Sequence, residues 1–263
     1  MSVAEINGTA LYYEDSGAGQ PLLFIHGMCG DASVWSDQVR RLSSSYRCVA
    51  YDRRGHTRSP LGDVEQRTVQ LHADDAALLI ETLGLAPCVL VGSSGGARIA
   101  FDVVRRYPHL VRGAVLSEPP LMALDPERAR EFLGKVKPAV EAAIARGGAP
   151  AAVDAFFEIV CPGLWTAIPE AAHERYRANS PEMLGDLLMP EYQVARADLA
   201  QMRTPCLGIR GSESLPIFRS VIGILTDGMP NCQLAELEGS GHVTYFEKPA
   251  EFEAMVRTFA ERL

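Results

Sequence analysis

The chain has 263 residues, an apolar fraction of 47% and a formal net charge of −8, values expected of a globular protein with a large core that folds as one α/β unit. The acidic balance argues against a basic nucleic-acid surface, and no apolar run approaches the roughly 18 residues that span a bilayer. Residues 1–8 lack the basic-then-apolar pattern of a secretory signal.

In chain order, residues 3–7 and 10–14 predict a hairpin around Asn7-Gly8. Further strands are predicted at 21–25, 47–51, 87–92, 112–117, 205–210 and 232–236, with helical patterns between most of them. Such alternation predicts a mostly parallel sheet covered by helices on both faces. It stops after Glu118-Pro119-Pro120. From 121 to 200 the sequence is helical, with breaks predicted at Gly147-Gly148, Pro162-Gly163, Pro169, Pro181 and Pro190. This segment reads as a helical cap inserted after the sixth strand, which leaves 1–120 and 201–263 as the core. A cap of this kind covers a site and shapes its pocket. Trp165, Phe157, Met189 and Tyr192 are its candidate substrate-binding residues, with Phe156, Tyr176, Met183, Leu187 and Leu188 beside them.

The most informative stretch is Val89-Leu90-Val91-Gly92-Ser93-Ser94-Gly95-Gly96, a strand-like run that ends in G-x-S-x-G and leads into a helical pattern. A sharp strand-to-helix turn of this composition presents one serine at its tip, beside the free N–H groups of a helix N-terminus. Ser94 is therefore the candidate nucleophile. A serine hydroxyl needs a base, and the base needs a third group to hold it. Gly239-Ser240-Gly241-His242 puts a histidine on a flexible loop after the last strand, so His242 is the candidate base. The loop after the strand at 21–25 reads His26-Gly27-Met28-Cys29-Gly30. It lets backbone approach a substrate closely, and an oxyanion hole is expected from the Gly95 N–H together with that of Met28, or of Gly27 if the loop is set one residue differently. Each such donor contributes about 3 kcal/mol to transition-state stabilisation in enzymes where it has been measured.

These landmarks, with Tyr51-Asp52-Arg53-Arg54-Gly55-His56 and Arg106-Tyr107-Pro108 between them, resemble the α/β-hydrolase superfamily over essentially the whole chain. The resemblance implies an eight-stranded, mostly parallel sheet flanked by helices, with a cap after strand 6. Two positions depart from the usual pattern. Thr57 stands where a glycine is usual, and Ser214, in Gly211-Ser212-Glu213-Ser214, stands where the acid is usual. A glutamate is available instead at the end of the next strand after the elbow, in Ser117-Glu118-Pro119-Pro120. That layout resembles the zearalenone-type lactonases, which pair a serine elbow with a glutamate after the sixth strand and a late histidine. The likeness rests on the Glu-x-Pro environment, the non-glycine residue at Thr57 and similar length. Glu118 is the first choice for the acid and Glu213 the second.

The other polar residues of note read as structural. Arg98, four residues after Ser94, is expected to pair with Asp102 at i+4. His72 and His109 read as packing or surface residues, and His173 is expected outside the pocket. The six cysteines include no C-x-x-C. Cys48, Cys88, Cys206 and Cys232 lie in or beside strand-like runs and, with Cys29 read as a buried inert thiol, imply a reducing, cytoplasmic setting. With no H-E-x-x-H, no cysteine pair at ligand spacing, no G-x-G-x-x-G and no P-loop, neither a metal nor a nucleotide cofactor is expected. The expected activity is cofactor-free hydrolysis of a small-molecule ester or lactone through an acyl-enzyme. The same triad also serves carbon–carbon bond or thioester hydrolysis, and the missing acid at Ser214 keeps a catalytically silent ligand-binding protein as a third reading. Neither nucleic acid nor membrane is an expected partner, and monomer and homodimer both stay open.

Overall fold

Leu22-Leu23-Phe24-Ile25 and Val89-Leu90-Val91 are apolar at every position, as strands buried on both faces must be. They form the adjacent centre strands of an eight-stranded sheet. The computed structural model describes residues 2–64, 66–187, 189 and 191–263; Leu188 and Pro190 lie outside the described residues. The strands are β1 (Ser2–Ile6), β2 (Thr9–Ser16), β3 (Pro21–Ile25), β4 (Arg47–Tyr51), β5 (Cys88–Ser93), β6 (Val111–Ser117), β7 (Cys206–Gly211) and β8 (Cys232–Leu237). Their order in the sheet is β1-β2-β4-β3-β5-β6-β7-β8. Only β2 runs against the rest. The β1–β2 turn places Asn7 at φ 48° and Gly8 at φ 74°, the left-handed pair that a two-residue hairpin requires.

Successive residues of the centre strands face opposite layers. Leu22, Phe24, Val89 and Val91 pack with Trp35, Leu42, Phe252 and Val256, so helices α1 (Ser36–Leu42) and α11 (Pro249–Ala260) cover one face. Leu23, Ile25 and Leu90 pack against α2 (Val69–Thr82), α3 (Gly95–Arg106) and α9 (Pro216–Gly228) on the other.

Between β6 and β7 the described residues form helices and no strand: α4 (Pro126–Val160), α5 (Leu164–Ala167), α6 (Glu170–Ala178), α7 (Ser180–Leu187) and α8 (Arg196–Leu199). The α4 stretch is interrupted at Gly148, whose φ of 73° and ψ of −167° end one helical run and start another. Pro181 lies two residues after the break between α6 and α7 at Asn179. It falls in the first turn of α7, where a proline costs no intrahelical hydrogen bond. Val136, Val153, Phe156, Trp165 and Met183 of this segment belong to the same buried cluster as the α3 side of the sheet. The remaining helix, α10 (Thr244–Glu247), follows the loop after β8. No helix among the described residues is long and apolar enough to cross a membrane.

Candidate active site

The turn from β5 into α3 is sterically forced. A Cβ on Gly92 would lie 2.6 Å from the Gly96 carbonyl oxygen, and one on Gly96 would lie 2.0 Å from that of Ile25. With glycine at both places the chain closes the turn, and Ser94 is held at φ 52°, ψ −122°. This is a strained conformation for a residue with a side chain. The Ser94 N–H donates to the Ser117 carbonyl across the sheet at 2.8 Å, which ties the elbow to the strand end that carries Glu118.

Glu118 is fully buried and also adopts a positive φ, 52°. Its Oε2 accepts from His242 Nδ1 at 2.7 Å and from the Ser214 hydroxyl, while its Oε1 accepts the Gly211 N–H at 2.8 Å. With Nδ1 donating, Nε2 of His242 carries a lone pair. The histidine loop is clamped by Glu247, whose carboxylate accepts the N–H groups on either side of His242, from Gly241 at 2.6 Å and Val243 at 3.0 Å. The ring of Phe218 lies over the imidazole with 4.1 Å between centroids. His242 and Ser94 face one small cavity of about 40 Å³. Glu213, the other candidate acid, is exposed, and among the described residues its hydrogen bonding is a backbone contact to Ser240.

The oxyanion-loop candidates converge on the elbow. A Cβ on Gly27 would meet Cβ of Ser94 at 3.2 Å, and one on Gly95 would lie 3.6 Å from the Met28 nitrogen. The Gly27 carbonyl accepts from His26 Nδ1 at 2.8 Å and from Arg53 Nη2 at 3.2 Å. A trans peptide points its C=O and N–H in opposite directions, so anchoring the Gly27 oxygen also fixes the direction of the Met28 N–H. Both His26 nitrogens are engaged, because Nε2 accepts the Arg53 N–H at 2.9 Å. Burial, then the Arg53 charge, holds His26 well below the ordinary histidine range.

One buried side chain ties the helical segment to this loop. Asn179, between α6 and α7, donates to the Cys29 and Gly30 carbonyls at 3.0 and 3.2 Å and accepts the Thr57 N–H at 2.9 Å. Thr57 keeps the left-handed φ, 47°, of the glycine usual there. Its hydrogen bonds to Asn179 and Asp31 offset that strain. Cys29 is buried, and burial pushes its thiol up.

Ser94 stands between two larger chambers. One, of about 790 Å³, is lined by Met28, Ser94, Gly95, Arg98, Met189 and Tyr192, with Phe156 and Leu187. The other, of about 500 Å³, is lined by Phe157, Trp165, Tyr176 and Tyr245. Phe157 and Tyr176 also line the small cavity between them. The four candidate lining residues are thus divided. Met189 and Tyr192 share a chamber with Ser94, Phe157 reaches its small cavity, and Trp165 lies in the second chamber, stacked on Phe157 at 4.6 Å. Met183 is fully buried and His173 is stacked on Trp165.

Arg98 does not pair with Asp102. The Asp102 carboxylate accepts from Arg106 Nε at 2.7 Å and from the Tyr192 hydroxyl at 2.6 Å. An acid four residues before a base is the favoured order on a helix, so Arg106 takes the carboxylate that Arg98 was expected to hold. Sequence reading also passed over Asn179, Phe218, Glu247 and the Ser214 hydroxyl. All but Glu247 act over more than twenty residues, and the Glu247 clamp leaves no periodic signal.

The model of the alpha/beta hydrolase family matches residues 22–255. The chain is 34% identical over 138 residues, 51% of each chain, to the uncharacterized hydrolase YraK of Bacillus subtilis. A thermophilic esterase from Thermogutta terrifontis superposes with a TM-score of 0.80 at 22% identity, covering 100% of this chain and 99% of the other. The enol-lactonase from Burkholderia xenovorans superposes with a TM-score of 0.82 at 20% identity, covering 99% and 100%. Likeness at these identities shows the fold.

Proposed function

The chain belongs to the alpha/beta hydrolase family, and from that premise we propose that it is a cofactor-free serine hydrolase cleaving an ester or lactone through an acyl-enzyme. The observation that carries the reading is the Glu118 carboxylate 2.7 Å from His242 Nδ1, with the histidine facing the same cavity as Ser94. Nε2 of His242 takes the proton of Ser94 Oγ as the oxygen attacks the substrate carbonyl. Glu118 fixes the tautomer and stabilises the imidazolium. The N–H groups of Met28 and Gly95 receive the developing oxyanion; neither donates a backbone hydrogen bond in the loops among the described residues. Collapse breaks the bond to the alkoxy oxygen, which takes the proton from His242. Water, deprotonated by His242, then attacks the acyl-enzyme and releases Ser94. A lactone follows the same path with its alcohol still tethered to the acyl group.

The carboxylate of Glu118 supplies the charge that Ser214 lacks, which supports catalysis over silent binding. Its place after β6 supports the likeness to the zearalenone-type lactonases, and the esterase and enol-lactonase among the structural neighbours support an ester or lactone substrate. In this reading residues 121–200 are the cap, because they supply the chamber walls that face the elbow.

The test is hydrolysis of 4-nitrophenyl esters together with fluorophosphonate labelling. Turnover by the wild type, its loss in Ser94→Ala and His242→Ala, and an adduct mapped to Ser94 by mass spectrometry are expected. An adduct on Ser93, or full activity in Ser94→Ala, overturns the assignment.

A further inference from the structure

Arg98 lies in the first turn of α3, its N–H donating to the Ser94 carbonyl at 3.1 Å, and both residues line the 790 Å³ chamber. Its surroundings are unusual for a half-buried cation. Nε is buried and has no hydrogen-bond partner among the described residues. Among the described residues the guanidinium's one polar contact is the Met189 sulfur at 4.0 Å, a weak acceptor. No carboxylate among the described residues lies within ion-pair distance of it, since Asp102 is taken by Arg106 and Tyr192, and Asp186 accepts from Arg53 at 2.9 Å. A half-buried guanidinium whose inaccessible Nε has no acceptor is costly, and burial and the nearby Arg53 charge lower its proton affinity while Asp186 opposes them. Arginine nevertheless stays protonated in proteins.

The rest of the chamber wall has the same sign. Exposed Arg130 and Lys137 enter it from α4, against Glu191 and Asp186, whose Oδ2 accepts from Arg53. A chain with a net charge of −8 thus surrounds its nucleophile with a chamber whose unpaired charges are mainly positive. A planar guanidinium with open donors matches a carboxylate, which it binds through two parallel hydrogen bonds.

We propose that Arg98 is a specificity residue that receives a carboxylate on the substrate, so that the enzyme's ester or lactone is a monoanion bearing a free acid group a few atoms from the reacting carbonyl. The proposal rests on the hydrolase reading for the reacting carbonyl but not for the anion site.

The test compares mono-4-nitrophenyl glutarate, which has a free carboxylate, with its methyl ester. The wild type is expected to favour the acid in kcat/KM by about tenfold or more, the worth of one charge-assisted hydrogen bond. In Arg98→Met that ratio collapses, mainly through KM for the acid, and Arg98→Lys keeps part of it. A merely structural arginine would lower the Tm of Arg98→Met, whereas removing a half-buried charge that has no acid partner leaves Tm unchanged or raises it. A wild-type ratio near or below one, or a ratio kept in Arg98→Met, overturns the proposal. Calorimetry with monomethyl glutarate against dimethyl glutarate separates the two readings, because it needs no turnover. If Ser94 is neither labelled nor required, yet the monoanion binds the wild type better than the diester and Arg98→Met abolishes the difference, the hydrolase reading fails and the anion site stands. Equal binding of monoanion and diester sinks the anion site whatever the activity.

Discussion

The Ser214 hydroxyl donates to the same Glu118 oxygen that receives His242 Nδ1–H. The residue standing at the usual acid position has become a hydrogen-bond donor to an acid that arrives from the neighbouring strand. A serine there leaves room for the longer glutamate, and with the Gly211 N–H it meets the buried carboxylate with three donors in all. Glu118→Gln keeps the shape and removes the charge. It is expected to lower kcat by about 10³–10⁴-fold, as amide replacement does in a comparable triad. Exposed Glu213 is expected to tolerate Glu213→Gln with little change. Steady-state kinetics on the two variants decides between them, and the reverse result would move the acid to the β7 loop.

The peptide between Gly27 and Met28 is held by its carbonyl, through His26 and Arg53. Replacing His26 by alanine removes the shortest bond on that carbonyl, leaving the longer ones from Arg53 and the Gly30 N–H, and lets the Met28 N–H tilt. The expected loss is about 10²-fold in kcat, the scale of a misplacement of roughly 1 Å, with KM moving far less. Arg53 is the poorer probe, because its removal also leaves Asp186 buried without its partner. If kcat of His26→Ala is unchanged, the Met28 N–H does not serve the oxyanion.

Much of this arrangement is legible in local sequence. Runs such as Leu22–Ile25 and Val89–Val91 are apolar throughout because both sheet faces are covered. The Asn7-Gly8 turn and the glycines around Ser94 follow from conformations that few other residues adopt. Glu118 was reachable only by noticing what Ser214 lacks. Arg98 was misread because a helix offers two i,i+4 partners to Asp102, and the choice was set by residue order and by Tyr192, ninety positions away in sequence. Asn179 gave no signal at all. It is a polar residue between two helices, and its worth lies in carbonyls about 150 positions earlier.

Trp165 is separated from Ser94 by Phe157, on which it stacks. Its effect on catalysis should therefore be indirect and depend on substrate size. Trp165→Ala is expected to change relative kcat/KM among esters with short and long apolar chains, while phosphonylation of Ser94 by a small fluorophosphonate keeps its rate. Measuring both on one preparation separates the outcomes. Equal losses in both would mean that the second chamber supports the fold and admits no substrate.

Three buried histidines set the protein's behaviour in mild acid. His72 has no hydrogen-bond partner on either nitrogen among the described residues, and burial with the nearby Arg53 charge pulls it down to about 3, against the pull of Asp186. His26 and His56 are held low by burial and Arg53 as well. In the unfolded chain each protonates near the ordinary value of about 6.5. Below that pH the unfolded state binds protons that the folded state refuses, so stability is complete above about 6.5, falls as pH drops, and stops falling only below the folded values. The slope is up to about 1.4 kcal/mol per pH unit for each histidine. Carboxylates held low, such as Asp31 and Asp125, withdraw their stability only below about 4, while Glu182, raised by burial, takes its proton in the folded state and opposes the fall, so the histidine share is read from the difference between wild type and variant. Urea unfolding across the window from about 5 to 6.5 should show the fall, and His72→Phe, which has no proton to bind, should flatten it by one histidine's share. Equal slopes in wild type and variant would show that His72 accepts its proton without unfolding the chain.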